Sequence, residues 1–234
     1  AKRTKSPDAE LKRCSAIRQS LRARALYGKI LQMAYLILVR HGKSKWNKIG
    51  KWQGLTDIVL APEGKKEAVR TARALKGINI DVAYCSELKR AKETWTEMKK
   101  VLQLGKMPTT CSVALNERDY GIYTGKNKGE IQKAVGEKKF QRIRRAWNEP
   151  IPRGETLKDV YARIVPFYTS TILRDLRTGK NVIVVAHGNS LRALVKYLEK
   201  LSAKEIASVE IGIAEAHIYK VNPSGAIVGK EVRA

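Results

Sequence analysis

The sequence predicts an α/β fold, a three-layer α/β/α sandwich on a mainly parallel central sheet. Three observations carry that expectation. Two apolar runs, Tyr35-Leu36-Ile37-Leu38-Val39 and Val182-Ile183-Val184-Val185-Ala186, read as buried strands. Between them lie segments whose apolar residues return at steps of three and four, the period of an amphipathic helix. The 234 residues, 43% hydrophobic and 29% charged, suffice for one domain with a sizeable core.

Residues 34–39 make the first strand, and a loop runs from 42 to 57. Pro62-Glu63-Gly64 opens a helix whose inner face holds Ala68, Ala72 and Leu75. Proline fits a first turn because its missing donor is not needed there. Residues 82–85 form a short strand, and Ser86 stands where the N-cap of the next helix belongs. That helix presents Leu88, Ala91, Trp95, Met98 and Leu102 on one side. Residues 105–154 are punctuated by Gly and Pro. They contain a helical stretch at 130–140, a basic cluster at Arg142, Arg144 and Arg145, and a loop at Pro150, Pro152 and Gly154. Thr156 caps a long helix carrying Val160, Ile164, Tyr168 and Ile172, bent at Pro166. The strand at 182–186 leads into a helix with Leu191, Leu194, Val195 and Leu198 facing inward. Residues 216–221 and 226–228 close the sheet across Asn222-Pro223-Ser224-Gly225.

The formal charge of +25 suits anionic partners, but charge acts on solubility and encounter rather than on fold. The lysines are spread along the whole chain, and no helix-turn-helix, zinc-finger or RNA-recognition signature interrupts them. A solvated basic surface is therefore expected, with no specific nucleic-acid partner. No apolar run approaches the ~20 residues that span a bilayer, so no membrane partner is expected. Cys14, Cys85 and Cys111 are too few and scattered for a disulfide framework, no CxxC suggests zinc, and a reducing, cytoplasmic setting fits. Residues 1–32 hold nine basic and two acidic residues and a weak helical stripe. They read as a basic N-terminal extension, dispensable for catalysis: an added tail, upstream translated sequence before a start at Met33, or an Arg-rich transit peptide. Residues 33–234 read as the catalytic domain.

Two of the three histidines occupy the same setting. His41 ends the first apolar run and His187 the second, and each is followed by a glycine. Ligands bind at the carboxyl edge of open α/β sheets. Arg40 adds a planar fork that matches phosphate oxygens. Phosphoryl transfer needs a nucleophile, a cradle for the oxygens and a proton donor for the leaving oxygen. His41 can attack through one ring nitrogen while the other donates to a backbone carbonyl, and His187 can add hydrogen bonds as charge moves. Each following glycine, Gly42 and Gly188, lets backbone approach the ligand, and Ser190 lies at a helix start, where amide donors gather. A single histidine at a strand end is ordinarily structural; two such histidines, one beside an arginine, point to a site.

Taken together these strings resemble the cofactor-dependent phosphoglycerate mutases of the histidine phosphatase superfamily, over about residues 34–232. Arg40-His41-Gly42-Lys43-Ser44-Lys45-Trp46-Asn47 is similar to that family's phosphohistidine loop. Gln53-Gly54 falls where the family's Thr-Gly touches substrate. Arg90, in Ser86-Glu87-Leu88-Lys89-Arg90-Ala91, matches a second phosphate-binding arginine. Glu117, in Leu115-Asn116-Glu117-Arg118-Asp119-Tyr120-Gly121, matches the acid/base glutamate, with Tyr120 beside it. Lys128 and the Arg144-Arg145 pair fall where the family binds the substrate's carboxylate and distal phosphate. The most specific segment is Ala186-His187-Gly188-Asn189-Ser190-Leu191-Arg192-Ala193-Leu194-Val195-Lys196-Tyr197-Leu198.

The resemblance implies a phosphoglycerate mutase-like fold and the interconversion of 3-phosphoglycerate and 2-phosphoglycerate in glycolysis and gluconeogenesis. It implies a phosphohistidine at His41, priming by 2,3-bisphosphoglycerate, and no metal. The implied catalytic residues are His41, Glu117, His187, Arg40 and Arg90; the implied substrate contacts add Ser44, Asn47, Gln53, Gly54, Tyr120, Lys128, Arg144, Arg145, Gly188 and Asn189. The alternative is a histidine phosphatase that hydrolyses a small phosphate ester. Lys43, Gln53 and Asp119 depart from the family's usual Glu, Thr and His. The stretch between Arg145 and Thr156 is shorter than in the longer mutases, so a monomer or weak homodimer is expected. The sequence ends soon after the last strand, and a short tail predicts some leakage of phosphoryl groups to water.

Overall fold

The computed structural model describes residues 33–233. The basic extension expected at 1–32 lies outside the described residues. In chain order the elements are β1 (Ala34–Arg40), the one-turn helix α1 (Lys45–Lys48), α2 (Pro62–Ala74), β2 (Val82–Ser86), α3 (Lys89–Leu102), β3 (Thr109–Ser112), α4 (Lys128–Val135), α5 (Glu137–Arg145), α6 (Leu157–Phe167), α7 (Leu173–Arg177), β4 (Val182–Ala186), α8 (Gly188–Leu198), β5 (Ala216–Val221) and β6 (Ile227–Arg233).

The strands make one sheet in the order β3-β2-β4-β1-β5-β6. The first four are mutually parallel; at one side β5 pairs antiparallel with β1, and β6 antiparallel with β5. The central strands are apolar throughout because both faces are covered. Leu36, Leu38, Val182 and Val184 face α6–α8, where they meet Val160, Ile164, Leu191 and Leu194. Ile37, Val39, Ile183 and Val185 face α2 and α3, where they meet Ala68, Ala72, Trp95 and Met98. A third apolar cluster (Trp52, Tyr120, Ile131, Phe140, Ile143 and Ile151) roots α4 and α5 beside the carboxyl edge.

The register of the two central strands sets everything that follows. β1 and β4 are parallel neighbours with Leu38 opposite Val184 and Arg40 opposite Ala186. The next residue of each strand is a histidine, so His41 and His187 emerge side by side, and the His41 amide still donates to the Ala186 carbonyl at 3.0 Å.

Several local expectations are corrected. The loop after β1 contains α1, capped reciprocally by Ser44 and Asn47. Ser86 ends β2 and does not cap α3, whose N-cap is Leu88; the Ser86 hydroxyl instead accepts from the Leu88 amide at 3.1 Å. The edge strand β3 was not expected. The stretch at 130–140 is two helices, broken at Gly136, whose φ of +77° cannot continue a helix. The long helix that Thr156 caps widens into a π-helical turn at Tyr168–Ile172, just past Pro166. The last strand runs to Arg233, beyond the expected 228.

Candidate active site

The loop after His41 is fixed by steric fit. A Cβ on Gly42 would lie 2.3 Å from the Gly64 carbonyl oxygen, and one on Gly64 would lie 2.1 Å from the Lys43 carbonyl oxygen. The two glycines thus let β1's exit pack against the first turn of α2. The sequence suggested that Gly42 makes room for a ligand; its nearest neighbour is protein backbone.

The His41 and His187 ring centroids are 5.0 Å apart, tilted by 58°. His41 Nδ1–H donates to the Gly42 carbonyl at 2.7 Å, which leaves Nε2 as the ring's free lone pair. His187 has the opposite tautomer. Its Nε2–H donates to Ser86 Oγ at 2.7 Å, and its Nδ1 accepts from Arg90 Nε at 3.2 Å. Ser86 passes its own proton to Asn116 Oδ1 at 2.8 Å, so the chain is satisfied end to end. Arg90 is fully buried, with Nη1 on the Thr56 carbonyl and Nη2 on the Gly54 carbonyl, both at 2.9 Å. Burial, and then the Arg90 charge, hold both imidazoles well below their usual 6.5. Both rings are therefore neutral at pH 7.

In front of the histidines lies a cavity open to solvent. Six cations line it: Arg40, Lys51, Lys128, Arg144, Arg145 and Arg192. Two carboxylates, Glu117 and Glu210, face them. Arg40 Nη1 is anchored on the Ile211 carbonyl at 2.7 Å, and its guanidinium lies against Gly188. Lys128 sits over the Trp52 ring at 5.7 Å; burial, with Arg144 and Arg40 nearby, lowers its pKa. Arg144 lies over Phe140 at 5.5 Å, and Arg145 pairs with Glu210 at 2.8 Å.

Glu117 is held on one oxygen. Oε1 accepts from the Arg118 amide at 2.8 Å, the Asn189 amide at 3.1 Å and Asn189 Nδ2 at 3.2 Å. Oε2 accepts no hydrogen bond among the described residues, so it is the oxygen that can exchange a proton. Asn189 Nδ2 also donates to the Tyr120 hydroxyl at 2.8 Å. The first-turn amide of α8 is thus engaged with Glu117, and the Ser190 hydroxyl accepts from the His187 amide at 3.0 Å.

Of the residues singled out from sequence, Arg40, His41, Asn47, Gln53, Gly54, Glu117, Tyr120, Lys128, Arg144, Arg145, Gly188 and Asn189 line this one cavity. His187 and Arg90 stand behind it, fully buried. Ser44 does not line it; its hydroxyl donates to Gln53 Oε1 at 2.7 Å and so orients that side chain. Lys51, Arg192 and Glu210 line the cavity but were not singled out. Arg192 was legible only inside the family-like segment. Among the described residues no cluster of His, Cys, Asp and Glu could hold a metal, and no helix is long and apolar enough to cross a membrane.

Known proteins share both sequence and fold with this chain. Residues 36–230 match the family model described as "Histidine phosphatase superfamily (branch 1)". A protein of Chelativorans sp. (strain BNC1), named 2,3-bisphosphoglycerate-dependent phosphoglycerate mutase, is 43% identical over 199 residues, 84% of this chain and 97% of the relative. One of the same name from Rhodopseudomonas palustris (strain BisB18) is 41% identical over 197 residues, 83% of this chain and 95% of the relative. The fold is that of a phosphoglycerate mutase from Bacillus anthracis str. Sterne (TM-score 0.70, 22% identity, 86% of this chain and 93% of that one). It is equally that of a mycobacterial glucosyl-3-phosphoglycerate phosphatase (TM-score 0.69, 24% identity, 80% and 92%). The chain belongs to the histidine phosphatase superfamily, branch 1.

Proposed function

We propose that this chain interconverts 3-phosphoglycerate and 2-phosphoglycerate through a phosphohistidine at His41, primed by 2,3-bisphosphoglycerate. The observation that carries the reading is the extent of the cationic wall. Hydrolysis of a simple ester needs cations only around the transferred phosphoryl group. Here Lys128, Arg144 and Arg145 add positive charge beyond the histidines, in the same cavity. A bisphosphorylated glycerate carries two phosphates and a carboxylate, and six cations against two carboxylates suit that anion. The names borne by relatives at about 40% identity support the same reading.

His41 Nε2 attacks phosphorus, the bond from phosphorus to the leaving oxygen breaks, and that oxygen takes a proton from Glu117. In the return step the glycerate hydroxyl gives its proton to Glu117 and attacks the phosphohistidine, which frees Nε2. Arg40 from the cavity wall, and Arg90 from behind the histidines, would oppose the charge on the phosphoryl oxygens. His187, with Nε2–H on Ser86 and Nδ1 accepting from Arg90, holds the Arg90 guanidinium in place behind the phosphoryl group. Gln53, oriented by Ser44, and Asn47 line the same cavity. The catalytic unit is residues 33–234, so removal of residues 1–32 leaves turnover in place.

An enolase-coupled assay with and without 2,3-bisphosphoglycerate tests the proposal. Isomerisation that requires priming, with acid-labile label on His41, is the expected result. Release of inorganic phosphate without isomerisation would overturn it in favour of a second reading, hydrolysis of a small phosphate ester. That reading is supported by the shared fold with a named phosphatase.

A further inference from the structure

Two buried arginines outside the expected site hold the end of α5, the helix that carries Arg144 and Arg145. A helix leaves its last carbonyls without intrahelical donors. At the end of α5 the Arg142 carbonyl accepts from the Ala146 amide, which leaves those of Ile143, Arg144 and Arg145. Arg118 Nη2 donates to the Ile143 carbonyl at 2.7 Å. Arg192 Nη1 donates to the Arg144 carbonyl at 3.4 Å, and Nη2 to the Arg145 carbonyl at 2.8 Å.

Arg118 is 0% exposed and Arg192 3% exposed. Neither pairs with a carboxylate side chain among the described residues. Arg118 stacks on Tyr120 at 4.5 Å, and Arg118 Nε, Arg118 Nη1 and Arg192 Nε find no acceptor among the described residues. Burying an unpaired guanidinium is costly, so helix capping alone is a poor return for it. The attachments at the other end account for the arrangement. Arg118 follows Glu117, and its amide holds Glu117 Oε1. Arg192 Nη1 also donates to Asn189 Oδ1 at 3.0 Å, and Asn189 holds both Glu117 and Tyr120. Arg192 Nη2 reaches the Ile206 carbonyl at 2.6 Å. Burial lowers Arg192 to about 10, so it stays charged at neutral pH.

We propose that Arg118 and Arg192 are positioning residues that clamp the end of α5 to the Glu117–Asn189 frame, fixing Arg144 and Arg145 at a set distance from the acid–base carboxylate. This inference rests on the reading of the cavity as a site for a ligand with two anionic ends. Lysine cannot reproduce the clamp, because an ammonium is a point donor and a guanidinium a planar fork.

The test is Arg192→Lys, with Arg118→Lys reading the other half of the clamp. Steady-state kinetics are compared on 3-phosphoglycerate and on p-nitrophenyl phosphate, which has no second anionic group. The expected result is a KM for 3-phosphoglycerate raised at least about tenfold with kcat changed far less, and a loss on p-nitrophenyl phosphate at least about tenfold smaller. Equal losses on both substrates, or an unchanged KM, would overturn the proposal. Failure of both lysine variants to fold would assign the arginines to stability alone and overturn it as well. If the wild type hydrolyses 3-phosphoglycerate without isomerising it, the mutase reading fails, yet the same two-substrate comparison still reads the clamp.

Discussion

The inner and outer halves of the cavity are built on opposite plans. The inner half comes from strand ends: His41, His187, Ser86 and Arg90 form a network in which nearly every donor has an acceptor. The outer half comes from helices α4 and α5 and the loop at 209–211. Its cations rest on aromatic faces or on one solvent-facing carboxylate. A closed network holds a reacting atom in place, while a surplus of charge attracts an anion without dictating its orientation. On the proposed mutase reading, an intermediate that must turn round needs the first beside phosphorus and the second farther out.

The sharpest break in that comparison is His41→Ala. It should abolish phosphoenzyme formation and lower turnover by at least about 10⁴-fold, as loss of a nucleophile does. Acid-labile labelling and the coupled assay check this, and residual turnover near wild type would contradict the assignment. Glu117→Gln, which keeps an oxygen for the Asn189 donors, should lower kcat by about 10²- to 10⁴-fold. The loss should shrink on p-nitrophenyl phosphate, whose leaving group needs no proton. An equal loss on both substrates would make Glu117 structural.

Just below about pH 6.5, above the range where carboxylates such as Glu210 titrate, the pH dependence of stability reads the inner half. The unfolded chain binds protons at His41 and His187 that the native state refuses, so stability rises with pH through this window. Their contribution is complete above about 6.5 and is lost as pH falls from there toward the depressed native values. Thermal melting should show Tm falling below about pH 6.5, and a flatter profile for His187→Gln. A wild-type Tm level across that range would contradict the effect of burial. The smallest effect belongs to the outer half. Glu210→Gln removes the carboxylate that competes for Arg145 and should lower KM about two- to fivefold at low salt, less as salt rises. A raised KM would show Glu210 assisting the substrate instead.

The inner half was largely legible in the sequence. Two continuous apolar runs ending in histidine imply a sheet edge, and a parallel pairing of β1 with β4 needs nothing more to bring the rings together. The outer half was less so. Arg192 reads as one polar position on an amphipathic helix, and the approach of α5 and of the turn at Ile206 covers it. Ser44 belongs to a family-like string, yet the cap of α1 turns its hydroxyl toward Gln53. β3, with the sequence Thr109-Thr110-Cys111-Ser112, has little apolar character because it is an edge strand with half its surface exposed. Gly136 interrupts an otherwise helical period, and a single glycine does not announce a break when its neighbours keep the pattern.

The mutual approach of Gly42 and Gly64 has a consequence for sequence variation. Gly64 stands in a helix that lines no part of the cavity, 22 positions after Gly42, and carries no reactive group. A single methyl group there would still push the loop that follows His41 off its seat. Saturation mutagenesis should therefore find an inert-looking helical position as intolerant as the histidines, silenced by crowding rather than by chemistry.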